Sequence, residues 1–169
     1  FGEATKFSAD LLDADKTYEA DVLFGVTTDT GDADGAVIRQ CRPAFGISDL
    51  EAAMGGFRGA ITQVPPMYSA LKVDGKPLYR LARQGIEIER TPRQVSILEL
   101  QLLDFAGERC RFHISCSKGT YIRTLMEDIG NALGCGAHLT ALRRVRVGAL
   151  SIAKAFTLDQ LLALPETER

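Results

Sequence analysis

The sequence has only two histidines, His113 and His138, and its four cysteines contain no Cys-x-x-Cys pair. Two histidines leave little room for a Ser/His/Asp nucleophile set, and none occurs in a recognisable order. Cys110 and Cys116 fall on strand positions, so Cys41, Cys110, Cys116 and Cys135 suit a reducing cytosol better than a disulfide framework. No apolar run approaches the ~20 residues that span a bilayer. No internal repeat or low-complexity tract is present. Net charge is also small, at −2 with a pI near 5.7, which argues against a uniformly basic nucleic-acid binder. The chain opens on Phe1 with no leader-like segment, and the expectation is that it starts inside a longer gene product.

What remains is a chain of 169 residues, 46% hydrophobic and 25% charged. That is enough apolar content for one real core and too much for a disordered protein. The charge is unevenly spread. Residues 1–60 carry 11 acidic and 5 basic side chains, whereas 61–150 carry 8 acidic and 13 basic. Such a split either offers a basic face to a polyanion or merely solvates different faces.

Hydrophobic periodicity predicts an α+β fold. Tyr18, Ala20, Val22, Phe24 and Val26 share one parity, a strand with one apolar face. Asp29 to Gly35 is a run of turn formers. Ser48 and Glu51 have capping-box spacing ahead of Leu50, Ala53, Met54 and Phe57, a helix expected to run to Gly59. Asp74-Gly75 is a turn, and Pro77 opens a short helix with Leu78, Leu81 and Ala82 inward and Arg80 and Arg83 outward. With Arg90 and Arg93, residues 67–94 read as a basic, mobile excursion from the core. Val95, Ile97 and Leu103 suggest a second strand, and Cys110, Phe112, Ile114 and Cys116 a third. Ile122, Leu125, Met126, Ile129 and Leu133 step by three and four as a helix. Val145 and Val147 mark a fourth strand, and Thr157 with Gln160 caps a last helix before Pro165.

Several patterns resemble sites and fail a chemical test. Asp32-x-Asp34-Gly35 has a calcium-loop spacing, but Cys41 stands where the bidentate Glu would be, so the turn reading is preferred. His113-x-x-Cys116 and Cys135-x-x-His138 have zinc-like spacing, yet residues three apart on a strand face opposite ways, so His113 and Cys116 cannot easily share an ion, and no metal is expected. Ser117-Lys118-Gly119-Thr120 lacks the upstream glycine of a nucleotide-binding phosphate loop. At the start of a helix it is either an anion site, with Lys118 and Arg123 converging on RNA phosphate, or a plain helix cap. Tyr121 and Arg123, placed in the first helical turn, are either functional or a core aromatic beside a solvated charge. Leu142-Arg143-Arg144 is either a core Leu beside two solvated charges or an apolar wall beside phosphate contacts.

Seven stretches in order bring in a resemblance. They are Gly2-Glu3-Ala4-Thr5-Lys6-Phe7, Lys16-Thr17-Tyr18, Thr28-Asp29-Thr30-Gly31-Asp32, and Pro65-Pro66-Met67-Tyr68-Ser69-Ala70-Leu71-Lys72. Ala82-Arg83-Gln84-Gly85, Ser117-Lys118-Gly119-Thr120-Tyr121-Ile122-Arg123 and Gly134-Cys135-Gly136-Ala137-His138-Leu139 follow. Together they resemble the bacterial tRNA pseudouridine synthase B family over essentially the whole chain. The resemblance implies a mixed, largely antiparallel sheet with packed helices. It also implies a cofactor-free isomerisation of the T-loop uridine, with the nucleoside flipped out of the loop.

By position, Tyr18 matches the tyrosine that stacks on the flipped base, and Tyr121 an active-site tyrosine close to it. Arg123 matches the arginine that pairs with the catalytic aspartate, and Leu142 an apolar pocket residue. Residues 66–94 match the RNA-gripping thumb, with Lys72, Lys76, Arg80 and Arg83 as RNA contacts; Lys6, Lys118, Arg143 and Arg144 are further phosphate contacts. The implied partner is the tRNA T-stem-loop, bound by a monomeric, cytoplasmic enzyme without metal.

One departure stands out. The family's essential aspartate lies in a Gly-His-Thr-Gly-x-Leu-Asp-Pro segment just before the Gly-Glu-Ala-Thr-Lys motif, and this chain contains no Asp-Pro. Residues 1–169 are therefore expected to be a partial catalytic domain, without that segment or the C-terminal RNA-binding module, and inactive alone. The alternative is a non-catalytic RNA-binding or tRNA-folding module.

Overall fold

A computed structural model describes residues 11–163 together with Glu3, Lys6 and Pro165. The other residues of the Gly2–Phe7 motif lie outside the described residues. The central strand is β1 (Lys16–Phe24), whose alternation buries Ala20, Val22 and Phe24 on one face. It pairs antiparallel with β8 (Arg109–Cys116) on one side and with β9 (Ala137–Val147) on the other. β7 (Arg93–Ala106) continues the sheet beyond β8, β4 (Gly59–Gln63) closes that edge, and β10 (Leu150–Ser151) closes the other. The result is a six-stranded sheet in the order β10-β9-β1-β8-β7-β4, antiparallel at every pairing.

α1 (Ile47–Gly55) and α3 (Ile122–Ala132) cover one face of the sheet. In α3 the three-and-four spacing puts Ile122, Leu125, Met126 and Ile129 into the core. Full burial of each is worth roughly 1.5–3 kcal/mol. α1 adds Leu50 and Met54 to the same cluster. Phe24 sits edge-on to Phe45 and Phe112, with ring centroids 5.1 and 6.3 Å away.

Several expectations need correction. Val26 is not part of β1: Gly25, at φ +83°, ends it, and a Cβ there would lie 2.6 Å from the Cys41 carbonyl. The chain then pairs β2 (Val26–Thr28) with β3 (Val37–Gln40). α1 starts before Ser48, and its N-terminus is held by Asp49, which accepts from the Gly46 N–H at 2.8 Å; Glu51 pairs with Arg58 instead. Gly55, not Gly59, ends this helix. Two bulges in the β7–β8 pairing shift the buried row of β7 from Val95 and Ile97 to Leu100, leaving Leu103 exposed. β9 begins eight residues before Val145, because Ala137, His138 and Leu139 are buried consecutively.

The 66–94 stretch folds as a short hairpin, β5 (Lys72–Val73) and β6 (Lys76–Pro77), followed by α2 (Leu78–Ala82). Asp74 and Gly75 at its tip both have positive φ, as a tight two-residue hairpin turn requires. Leu78 is fully buried and anchors this unit. Thr157 and Gln160 form the expected reciprocal cap of α4 (Leu158–Ala163), at 2.8 and 3.2 Å.

Candidate functional site

The start of α3 carries two of the candidate side chains, Tyr121 and Arg123. Tyr121 is the residue before the first helical turn, at φ −102°, rather than within it. Its backbone is clamped by Gln63 at the end of β4. Gln63 Nε2 donates to the Tyr121 carbonyl at 3.2 Å, and Gln63 Oε1 accepts from the Tyr121 N–H at 3.0 Å. The Arg93 guanidinium lies 5.7 Å from the centre of the Tyr121 ring, within cation–π range.

Arg123 is no solvated surface charge. Its Nη1 donates to Asp32 Oδ2 at 2.9 Å and to the Thr30 carbonyl at 3.0 Å, and its Nη2 donates to the Tyr68 carbonyl at 2.6 Å. Its side chain is 23% exposed. The 29–35 turn therefore serves as an arginine holder: Asp32 also accepts from Thr30 Oγ1 at 2.6 Å and from the Asp34 N–H. Arg123 opens onto two adjoining depressions. One, of about 410 Å³, is also lined by Asp29, Asp34, Tyr68 and Arg83. The other, of about 370 Å³, runs from Asp32 to Leu139 and Leu142. Leu142 is 46% exposed, an apolar wall rather than a core residue.

Glu127, one helical turn beyond Arg123, is pushed up to about 7, first by burial and then by Asp128; Arg123 opposes the shift and Asp32 adds to it. Its carboxylate fills the space where a Cβ on Gly31 would stand, 2.9 Å away. Glu127 thus takes up a proton far more readily than an exposed carboxylate, which lowers the negative charge beside the Arg123–Asp32 pair as pH falls through about 7.

Tyr18 is half-buried on β1 opposite Arg144. Burial raises its phenol pKa, Cys116 adds to the rise, and Arg144 pulls it back. Arg143 and Arg144 are exposed on β9.

Of the two readings of the 117–120 stretch, the convergence of Lys118 and Arg123 is not found. Lys118 pairs with Asp13 at 2.9 Å and lines a separate depression with Arg93 and Gly119, away from those Arg123 lines. Lys72, Lys76 and Arg80 are exposed on the hairpin and α2, and Arg83 alone of this group reaches the Arg123 depression. Lys6 pairs with Glu3.

The zinc-like spacings place nothing together. Cys116 is buried, while His113 faces Glu99 at 3.6 Å. His138 Nδ1 lies 2.9 Å from the Val26 carbonyl. Among the described residues no three His, Cys, Asp or Glu side chains form a group that could hold a metal, and no helix is long and apolar enough to cross a membrane. The sequence singles out no role for Gln63, and it shows Tyr68 and Asp32 only as members of the resembling stretches and Asp32 as a turn former, not as partners of Arg123.

The fold and the family models together place the chain among the pseudouridine synthases. The structure resembles a Cbf5-Nop10-Gar1 complex with a TM-score of 0.65 and 28% identity, over 88% of this chain and 35% of that one. A second match, an H/ACA RNP bound to a substrate RNA containing 2′-deoxyuridine, shares the fold at a TM-score of 0.59 and 23% identity, over 88% and 33%.

Residues 1–122 match the family model described as TruB family pseudouridylate synthase (N terminal domain). Residues 123–168 match that of the tRNA pseudouridylate synthase B C-terminal domain. The chain belongs to the TruB family. It is 59% identical to tRNA pseudouridine synthase B of Azoarcus sp. (strain BH72) and 56% identical to that of Dechloromonas aromatica (strain RCB). Each match covers all of this chain and 56% of the relative, so the chain spans little more than half their length. The boundary between the two matched regions falls inside α3, and strands from both sides of it share one sheet.

Proposed function

We propose that residues 1–169 form most of the catalytic fold of a tRNA pseudouridine synthase that isomerises the T-loop uridine. The observation that carries this reading is Arg123, fixed by three acceptors at the start of α3 and open to the depression that Leu142 borders. The isomerisation breaks the bond between the ribose and N1 of uracil, turns the base and rejoins it through C5. N1 gains a proton and C5 loses one, so no cofactor is consumed. Such chemistry needs the base out of its stack, a surface to replace the lost stacking, and an oriented carboxylate nucleophile.

In this chain Tyr18 supplies the aromatic face and Leu142 the apolar wall. Arg123 holds the nucleophilic aspartate ionised and oriented, and Tyr121 supports the base or handles a proton. That aspartate belongs to the segment preceding the Gly-Glu-Ala-Thr-Lys motif in the family. Lys72, Lys76, Arg80 and Arg83 on the thumb, with Lys118, Arg143 and Arg144, take the phosphates of the T-stem-loop. The protein acts as a monomer in the cytoplasm.

The test is kinetic, on T-arm RNA, in the full-length gene product that carries this chain. Tyr121→Phe and Arg123→Ala lower kcat more than RNA affinity if these residues serve the reaction. Equal losses of both favour the alternative, a non-catalytic RNA-binding module.

A further inference from the structure

Gln63 is a buried polar side chain that the reaction as outlined does not use. It is 1% exposed, and both ends of its amide are spent on one residue, the Tyr121 N–H and carbonyl. This is the bonding a neighbouring strand would supply, delivered by a side chain across the gap between the sheet edge and α3. Its cross-strand partner in the β4–β7 ladder is Arg93, the residue whose guanidinium lies over the Tyr121 ring. One rung of the sheet thus meets Tyr121 twice, at its backbone through Gln63 and at its ring through Arg93.

Tyr121 has need of such a hold. As the N-cap of α3 its carbonyl takes the first helical bond, from the Leu125 N–H at 3.1 Å, but its own N–H has no helical partner and its side chain makes no cap. The same segment that ends in Gln63 runs on to Tyr68, whose carbonyl takes Arg123. We infer that Gln63 is a positioning residue, which fixes the Tyr121 backbone so that its ring meets the flipped base in one orientation. The inference rests on the proposed pseudouridine synthase activity.

The experiment uses the full-length gene product that carries this chain, with T-arm RNA as substrate. Gln63→Met keeps the side-chain volume and removes both hydrogen bonds. It lowers kcat about tenfold, as loss of a catalytic group's orientation does, with KM within about twofold. In a Tyr121→Ala background the same change lowers kcat no further, because the residue it orients is gone. Gln63→Glu reproduces both bonds only when protonated, so its kcat relative to wild type is highest at low pH and falls as pH rises. It carries the test should the Met variant not fold.

An unchanged kcat in Gln63→Met, a loss confined to KM, or an equal loss with and without Tyr121 overturns the positioning role. No pseudouridine from the wild-type protein overturns the functional reading itself, and the positioning role with it.

Discussion

Arg123 and Asp32, 91 residues apart in the chain, form an ion pair 2.9 Å long that ties the start of α3 to the turn after β2. The Thr30 and Tyr68 carbonyls accept from the same guanidinium, whose Nε–H makes none of these three bonds. Only a planar fork with several fixed donors serves three such acceptors at once. Arg123→Lys should therefore behave almost like Arg123→Ala. Both should lower unfolding free energy by about 1–3 kcal/mol, through lost charge-assisted bonds and a carboxylate left without its partner. Urea titration of the two variants checks this, and a Lys variant as stable as wild type contradicts it.

Glu127 gives the site a pH dependence of defined sign. Its folded pKa of about 7 lies above the ordinary carboxylate value of 4.5, chiefly because it is buried. Asp128 is raised by burial as well. The folded state thus binds the Glu127 proton more tightly than the unfolded chain does, and stability falls as pH climbs from about 4.5 through about 7. Discounted for partial solvent screening, the cost above pH 7 is roughly 1–3 kcal/mol. Glu127→Gln should recover much of it at pH 8 and flatten the stability profile between 5 and 8, read by thermal unfolding across that range.

The packing of α3 on β9 depends on Gly130. A Cβ there would stand 2.4 Å from the Gly136 carbonyl carbon and 2.6 Å from the Ala137 nitrogen, both backbone atoms that cannot swing aside. Gly130→Ala should cost about 2–4 kcal/mol, against its ordinary helix-favouring effect. A neutral or stabilised variant in chemical denaturation would show that the helix lies further from the strand.

RNA affinity should be salt-dependent, and the dependence should map to the thumb. Replacing Lys72, Lys76 and Arg80 together by Ala should weaken T-arm binding and reduce the slope of log K against log salt by about 2–3. Fluorescence anisotropy across a salt series measures both. A slope unchanged by the triple substitution would move the phosphate contacts off this hairpin.

The sequence showed most clearly what a strict period encodes. β1, β8 and α3 are legible because each buries one face of a regular repeat. β3 is not, since all four of its residues are exposed and no alternation arises. β4 hides behind its glycine and its mostly exposed edge. The cap of α1 was misplaced because Ser48 and Glu51 have the spacing while Gly46 and Asp49 have the geometry. Within the site, Tyr121 and Arg123 could be singled out from their place at a helix start. Their partners could not: Gln63 is 58 residues from Tyr121, and a lone glutamine before two prolines has no local signature. Asp32 was readable as a turn former, but its free carboxylate oxygen finds Arg123 only through the fold.

We propose that this chain supplies the arginine, tyrosine and binding surfaces of a pseudouridine synthase but not its nucleophile. The direct measurement is pseudouridine formed in a T-arm RNA, quantified by nucleoside mass spectrometry. It compares the 169-residue chain with the same chain extended at its N-terminus by a segment that carries the family's Gly-His-Thr-Gly-x-Leu-Asp-Pro motif. Product from the extended protein and none from the chain alone is the predicted result. Turnover by the chain alone, or none by the extended protein, would contradict it.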